Sequence, residues 1–186
     1  MPNKNFNMKT FIYPLTLSLT LLLTSCKINN SKTTSPESTV TVYLNAKSGS
    51  SAVGEVRIQQ INGVVYMNAK LEGLDPGTHA FHLHEKADCS SEDGKSSGGH
   101  WNPTAQPHGK WGSKEGYHRG DVGNFSADEA GRGNIEFSTS EWCLTCDDPN
   151  KNILGKAIIV HQGVDDYRTQ PTGDAGGRVS CGGIIE

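Results

Sequence analysis

The 186-residue chain carries a formal charge of −3, from 17 basic and 20 acidic residues. That length sets an expectation of one domain, and no basic block marks a nucleic-acid surface. Charge alone names no partner. The five cysteines and seven histidines carry most of the chemical information.

The N-terminus reads as an export signal. Lys4 and Lys9 precede an apolar run from Phe11 to Leu23, 13 residues long. A bilayer span needs about 20 apolar residues, whereas a signal-peptide core is of this length. A buried core helix is the competing reading, and no apolar pattern continues past Cys26 to support it. Met8 is an alternative start that opens a shorter signal. Leu23-Thr24-Ser25-Cys26 resembles the bacterial lipobox, in which the cysteine becomes the new N-terminus and carries a lipid; ordinary secretion with cleavage nearby is the alternative. The expected organisation is a signal peptide over 1–25, a lipidated Cys26 with a polar tether over 26–39, and a folded domain over 40–186. The protein would then be exported and anchored to the cell-envelope membrane, periplasmic or surface-facing. Removing residues 1–25 takes away two lysines and no acid, leaving 15 basic and 20 acidic residues and a charge of −5. An acidic protein that handles an anion needs a local positive group at its site.

Strand-like alternation dominates the rest. Val40, Val42 and Leu44 share one face, as do Val65, Met67, Ala69 and Leu71, and Val56 with Ile58 suggests a strand between them. Further strands are expected over 80–85, 123–126, 134–138, 156–161 and 178–185. Asn62-Gly63, Asp75-Pro76-Gly77, Gly131-Arg132-Gly133 and Asp148-Pro149-Asn150 mark turns. Many short strands with Gly and Pro turns imply an all-β sandwich or barrel. Two stretches, about 86–120 and 162–177, are too long for idle connections, and histidines flank both.

In a strand, residues two apart point to the same side. His82 and His84 therefore share a face, which suits two ligands of one metal, although such pairs are often ordinary surface residues. His161 ends the apolar run Ala157 to Val160. His100, His108, His118 and Asp121 fall within 22 residues and make a reasonable tetrahedral zinc set; the alternative is a polar loop that happens to hold histidines. An exported chain meets oxidising conditions, so two disulfides are plausible among Cys89, Cys143, Cys146 and Cys181, with three pairings open.

Taken together, Ala80-Phe81-His82-Leu83-His84-Glu85, Gly99-His100-Trp101-Asn102-Pro103, His108-Gly109, His118-Arg119-Gly120-Asp121-Val122-Gly123-Asn124, Val160-His161 with Asp165, and Gly173-Asp174-Ala175-Gly176-Gly177-Arg178-Val179-Ser180-Cys181-Gly182 resemble the motifs of the copper/zinc superoxide dismutase family across residues 40–186. Trp101 stands where many members carry Phe, and Asp174 where Asn is frequent. The resemblance implies a Greek-key, eight-stranded flattened barrel or sandwich of Ig-like character with two long functional loops. It implies copper on His82, His84, His100 and His161, and zinc on His100, His108, His118 and Asp121, with His100 bridging. Asp165 would link His82 to His108 from behind the ligands, and His79 would be structural. Arg178 would guide superoxide, with His100 as proton carrier, and Cys89 would pair with Cys181.

Cys143-Leu144-Thr145-Cys146 departs from the common pattern. With no second such pair for a zinc knot and no thioredoxin-like context, a local disulfide is the favoured reading. The loop from His161 to Arg178 is short and acidic, so steering is expected to be weaker or to come from Lys110, Lys114 or Lys156. Monomer and homodimer both remain open. Two other functions compete: a copper- and zinc-binding module of the same fold without turnover, and an Ig-like adhesion domain with incidental histidines. Arg178, Asp165 and a full ligand set favour the enzyme.

Overall fold

The computed structural model describes residues 1–2 and 38–186; the signal segment, Cys26 and most of the tether lie outside the described residues. Eight strands follow in order: β1 (Ser38–Ala46), β2 (Val53–Ile61), β3 (Val64–Glu72), β4 (Gly77–His84), β5 (Gly123–Ala127), β6 (Gly133–Thr139), β7 (Ala157–His161) and β8 (Arg178–Gly183). β1 begins at Ser38, two residues before the alternation of Val40, Val42 and Leu44 becomes visible.

Alternation explains the inner wall. In β1 to β3 the buried residues recur every second position: Val40, Val42 and Leu44, then Val56 and Ile58, then Val65, Met67, Ala69 and Leu71. β2 and β3 are joined by Asn62-Gly63, both at positive φ (51° and 79°), the conformation that a two-residue hairpin turn requires. Glycine reaches it without the steric penalty of a side chain.

The strands close in the order β1-β2-β3-β6-β5-β4-β7-β8, all neighbours antiparallel. The β3–β6 and β4–β7 pairings between non-consecutive strands are the Greek-key element. Closure is uneven. β5 meets β6 through one residue pair, Ala127 with Gly133, and β1 meets β8 through two, Asn45 with Cys181 and Ala46 with Ser180. The barrel is thus two four-stranded walls, β1-β2-β3-β6 and β5-β4-β7-β8, joined by thin seams, which accounts for its flattened character.

The second wall is buried on both sides. Phe81 and Leu83 of β4 and Ile158 and Val160 of β7 fill the barrel interior. On the outer face of the same strands, Ala157 and Ile159 pack with Cys181 and Cys89, and His82 and His84 lie opposite Ile159 and Ala157. The long connections, 85–122 and 162–177, cover this outer face.

Candidate metal centre

β4 supplies the first two rings. Phe81 and Leu83 point into the core, so His82 and His84 must point out, and both are fully buried beneath the loops. The first long loop docks along the same strand. Trp101 donates its backbone N–H to Leu83 O at 2.8 Å, Glu85 donates to Gly99 O at 3.0 Å, and Leu83 donates to Gly120 O at 2.9 Å. This added ladder brings His100 opposite His84. His161 ends β7 at a register irregularity that places it opposite Arg178.

Two ligand groups result. His82, His84, His100 and His161 have one donor atom each within 4.8 Å of one another, and so do His100, His108, His118 and Asp121; all seven residues are buried. His100 belongs to both groups. Its Nδ1 lies 2.9 Å from Asp121 Oδ1, while its Nε2 has no hydrogen-bond partner among the described residues.

Ring by ring, one nitrogen is tied back and the other is turned inward. His82 Nε2 donates to Asp165 Oδ2 at 2.9 Å, and its Nδ1 is unpaired among the described residues. His84 Nδ1 donates to Gly98 O at 2.9 Å and His161 Nδ1 to Gly176 O at 3.4 Å. Carbonyls only accept, so both of these Nδ1 atoms carry hydrogen. The Nε2 atoms, 3.4 Å apart, then face each other as bare lone pairs. Buried lone pairs so arranged repel unless a cation lies between them. An all-imidazole set of this kind suits copper, and the set with a carboxylate suits zinc, so the residues fit both ions.

The electrostatics agree. Burial outweighs the pull of Asp121 and lowers His100 to about 4; burial likewise holds His84 and His161 well below the ordinary imidazole value. These rings are held neutral, the form that ligates a metal. Burial opposes ionisation of Asp121, but hydrogen bonds with His100, His108 and His118 prevail and hold its carboxyl well below the usual range. Backbone N–H groups of Gly109 and His118 also donate to its Oδ2. In the same way Asp165, though buried, is held low by His108, His82 and the Tyr167 N–H.

His108 differs. Burial lowers it, but Asp121 and Asp165 on either side outweigh that and raise it to about 9. At pH 7 the metal-free ring therefore holds a proton that ligation must displace. Zinc binding at pH 7 is expected to release about one proton and to weaken about tenfold for each pH unit below 9. Calorimetric zinc titrations in two buffers of different ionisation enthalpy measure this, and an enthalpy independent of buffer would contradict it.

Of the two adjacent acids, Asp165 is the buried one that joins the sets, accepting from His82 and, through Oδ1, from His108 at 2.8 Å. Asp166 is exposed and caps a turn with Arg168 and Thr169. Asn124 holds Asp165 by a two-way pairing, Oδ1 accepting from its N–H and Nδ2 donating to its carbonyl, both at 2.8 Å. Gly173, at φ 71°, closes over the Asp165–His108 bond, where a Cβ would meet Asp165 Oδ1 at 1.9 Å. His79 sets its two ring nitrogens against the carbonyls of His161 (2.9 Å) and Asp75 (2.8 Å).

Arg178 is half-buried beside this cluster. Its Nη1 donates to Gly94 O at 2.8 Å and Ser97 Oγ at 3.0 Å, and its Nη2 to Gly98 O at 2.8 Å. Gly98 O is also the acceptor for His84, so guanidinium and imidazole share one anchor. The Cys89–Cys181 disulfide ties the first loop to β8, and Lys47 Nζ donates to Cys89 O at 2.6 Å. The second disulfide, Cys143–Cys146, is local. Lys156 is committed elsewhere, to Glu85 O and the face of the buried Trp101.

Asn124 and Gly173 appear within the sequence motifs without a visible role. The carbonyls of Gly98 and Gly176 leave no sequence signal, because every residue has one.

Comparison with known proteins agrees with this geometry. A sequence family described as copper/zinc superoxide dismutase matches residues 52–184. Superoxide dismutase (Cu-Zn) 2 of Aquifex aeolicus is 35% identical over 137 residues, covering 71% of this chain and 78% of the relative. Superoxide dismutase (Cu-Zn) of Caulobacter vibrioides is 36% identical over 148 residues, covering 77% and 84%. The crystal structure of a SOD-like protein from Bacillus subtilis aligns with a TM-score of 0.69 at 30% identity, covering 78% of this chain and 97% of that one.

Proposed function

The chain belongs to the copper/zinc superoxide dismutase family, and we propose that it converts superoxide to dioxygen and hydrogen peroxide, with His82, His84, His100 and His161 holding copper and His100, His108, His118 and Asp121 holding zinc. The observation that supports this best is the sharing of His100 by two complete four-ligand groups. Copper, when bound, would supply the one-electron exchange with superoxide, and zinc would supply a fixed positive charge in the group that shares His100.

The chain's own residues do the rest. His100 Nε2 is the proton-carrying atom: it has no hydrogen-bond partner among the described residues, while Nδ1 is directed at Asp121, so a proton held there is free to pass to reduced oxygen. Asp165 keeps His82 and His108 in the tautomers that present Nδ1 to the metals, and such partners fix ring orientation. Arg178 draws in the anion. Three of its donors are spent on the loop and its charge persists at every working pH, which leaves a fixed cation with free N–H groups for a small anion.

The test is superoxide consumption by the purified chain loaded with copper and zinc, beside Arg178→Ala. The expected result is fast copper-dependent loss, reduced about 10–100-fold in the variant at low salt and less so above about 0.1 M ionic strength. Full metal loading without turnover would instead make the chain a metal-binding module. Two disulfides, and relatives from bacteria and outside cells, are consistent with export. On that basis the lipobox-like Cys26 serves as a membrane anchor, and the enzyme protects the cell envelope; the mass of the mature N-terminus reports the lipid.

A further inference from the structure

Gln170 lies in the second long loop and contributes to neither ligand group. Its side-chain amide nevertheless pairs in both directions with the backbone of His108. Oε1 accepts from His108 N–H at 2.8 Å, and Nε2 donates to His108 O at 2.9 Å. The same Nε2 also donates to Arg168 O at 3.3 Å, so the amide is itself held. Among the described residues, His108 makes no backbone–backbone hydrogen bond. Its peptide groups, in a stretch without strands, are satisfied by this one side chain, which acts as a sheet neighbour would.

We propose that Gln170 is a positioning residue for the zinc group: it fixes the His108 backbone so that Nδ1 stays directed at the site, and so sets zinc affinity without setting copper affinity. The inference rests on the reading of His100, His108, His118 and Asp121 as zinc ligands. The geometric reason is that Asp165 restrains His108 at the ring, through Nε2. Asp121 Oδ2 meets Nδ1 at 3.0 Å and accepts from the Gly109 N–H at 3.1 Å, but neither of these contacts holds the N–H and carbonyl of His108 itself. Adding two backbone bonds holds the residue at both ends. The copper group is anchored by Gly98, Gly176 and Asp165; Asp165 is shared with His108, and none of the three is hydrogen-bonded to Gln170.

Zinc and copper affinities of the full chain, each measured by competition with a chromogenic chelator, test this in wild type, Gln170→Ala and Gln170→Glu. Gln170→Glu keeps the acceptor oxygen and removes the donor. Residues that hold a metal ligand from behind contribute about 10–100-fold in affinity. The expected result is a loss of zinc affinity of about tenfold or more in Gln170→Ala, a smaller loss in Gln170→Glu, and copper affinity within about twofold of wild type. The visible absorption of cobalt(II) placed in the zinc group should change in Gln170→Ala. Unchanged zinc affinity in Gln170→Ala overturns the proposal. So does a parallel fall in copper affinity, which would mean that the loop had merely loosened. Wild-type protein that binds no zinc overturns the ligand assignment, and the proposal with it.

Discussion

Replacing His84 with alanine is expected to abolish copper-dependent superoxide consumption, by at least about 100-fold, while zinc stays bound. Altering a residue that merely holds a ligand already costs about 10–100-fold, and His84 supplies a donor atom itself. Its Nε2 faces His161 Nε2 at 3.4 Å with Nδ1 fixed on Gly98 O, so no neighbouring side chain takes its place in the copper group. The zinc group contains no part of His84. Metal analysis beside the superoxide assay separates the two effects. Full turnover with copper retained would remove His84 from the site.

The two disulfides differ sharply in what they stabilise. Cys89–Cys181 closes a separation of 92 residues and Cys143–Cys146 one of 3. On a chain-entropy argument the first contributes about 4–5 kcal/mol and the second about 2 kcal/mol. Cys89→Ser is expected to lower the melting temperature by about 10–18 °C, and Cys146→Ser by about 4–8 °C. The large cross-link also holds the loop whose Gly94, Ser97 and Gly98 grip Arg178, so Cys89→Ser should reduce activity at temperatures where the protein is still folded. The small one lies in a segment with its own backbone bonds, Cys143 N–H to Lys151 O and Ile153 N–H to Cys143 O, and its loss should leave activity unchanged. Calorimetry with the superoxide assay decides; equal effects of the two variants would contradict the argument.

Much of this was legible in the sequence, for identifiable reasons. β1 and β3 show their buried face through period two, because one side meets the core and the other meets water. β7 reads only as an apolar run: Ile158 and Val160 fill the barrel, while Ala157 and Ile159 lie under the first loop, and two-sided burial erases alternation. Histidine and aspartate announce metal ligation by residue type, and their order along the chain carried the family resemblance. The pairings of β3 with β6 and β4 with β7 join distant segments and leave no local trace. Gln170 was not legible, because an amide in a polar loop gives no sign of its partner until His108 is folded against it. Asp165 and its neighbour Asp166 are the same residue type, so only folding tells them apart: the first is buried and the second exposed.

The lengthwise run of β1 has a practical consequence. The strand starts at Ser38, opposite Gln60, and finishes at Ala46, opposite Ser180, next to Arg178. Eight residue steps at about 3.3 Å put about 26 Å between those ends. A leash fastened upstream of Ser38 would therefore pull on the end of the barrel remote from the guanidinium. Capturing the protein on a surface by its N-terminal side should leave the anion's approach open, whereas capture through Lys47 or Lys95 would obstruct it.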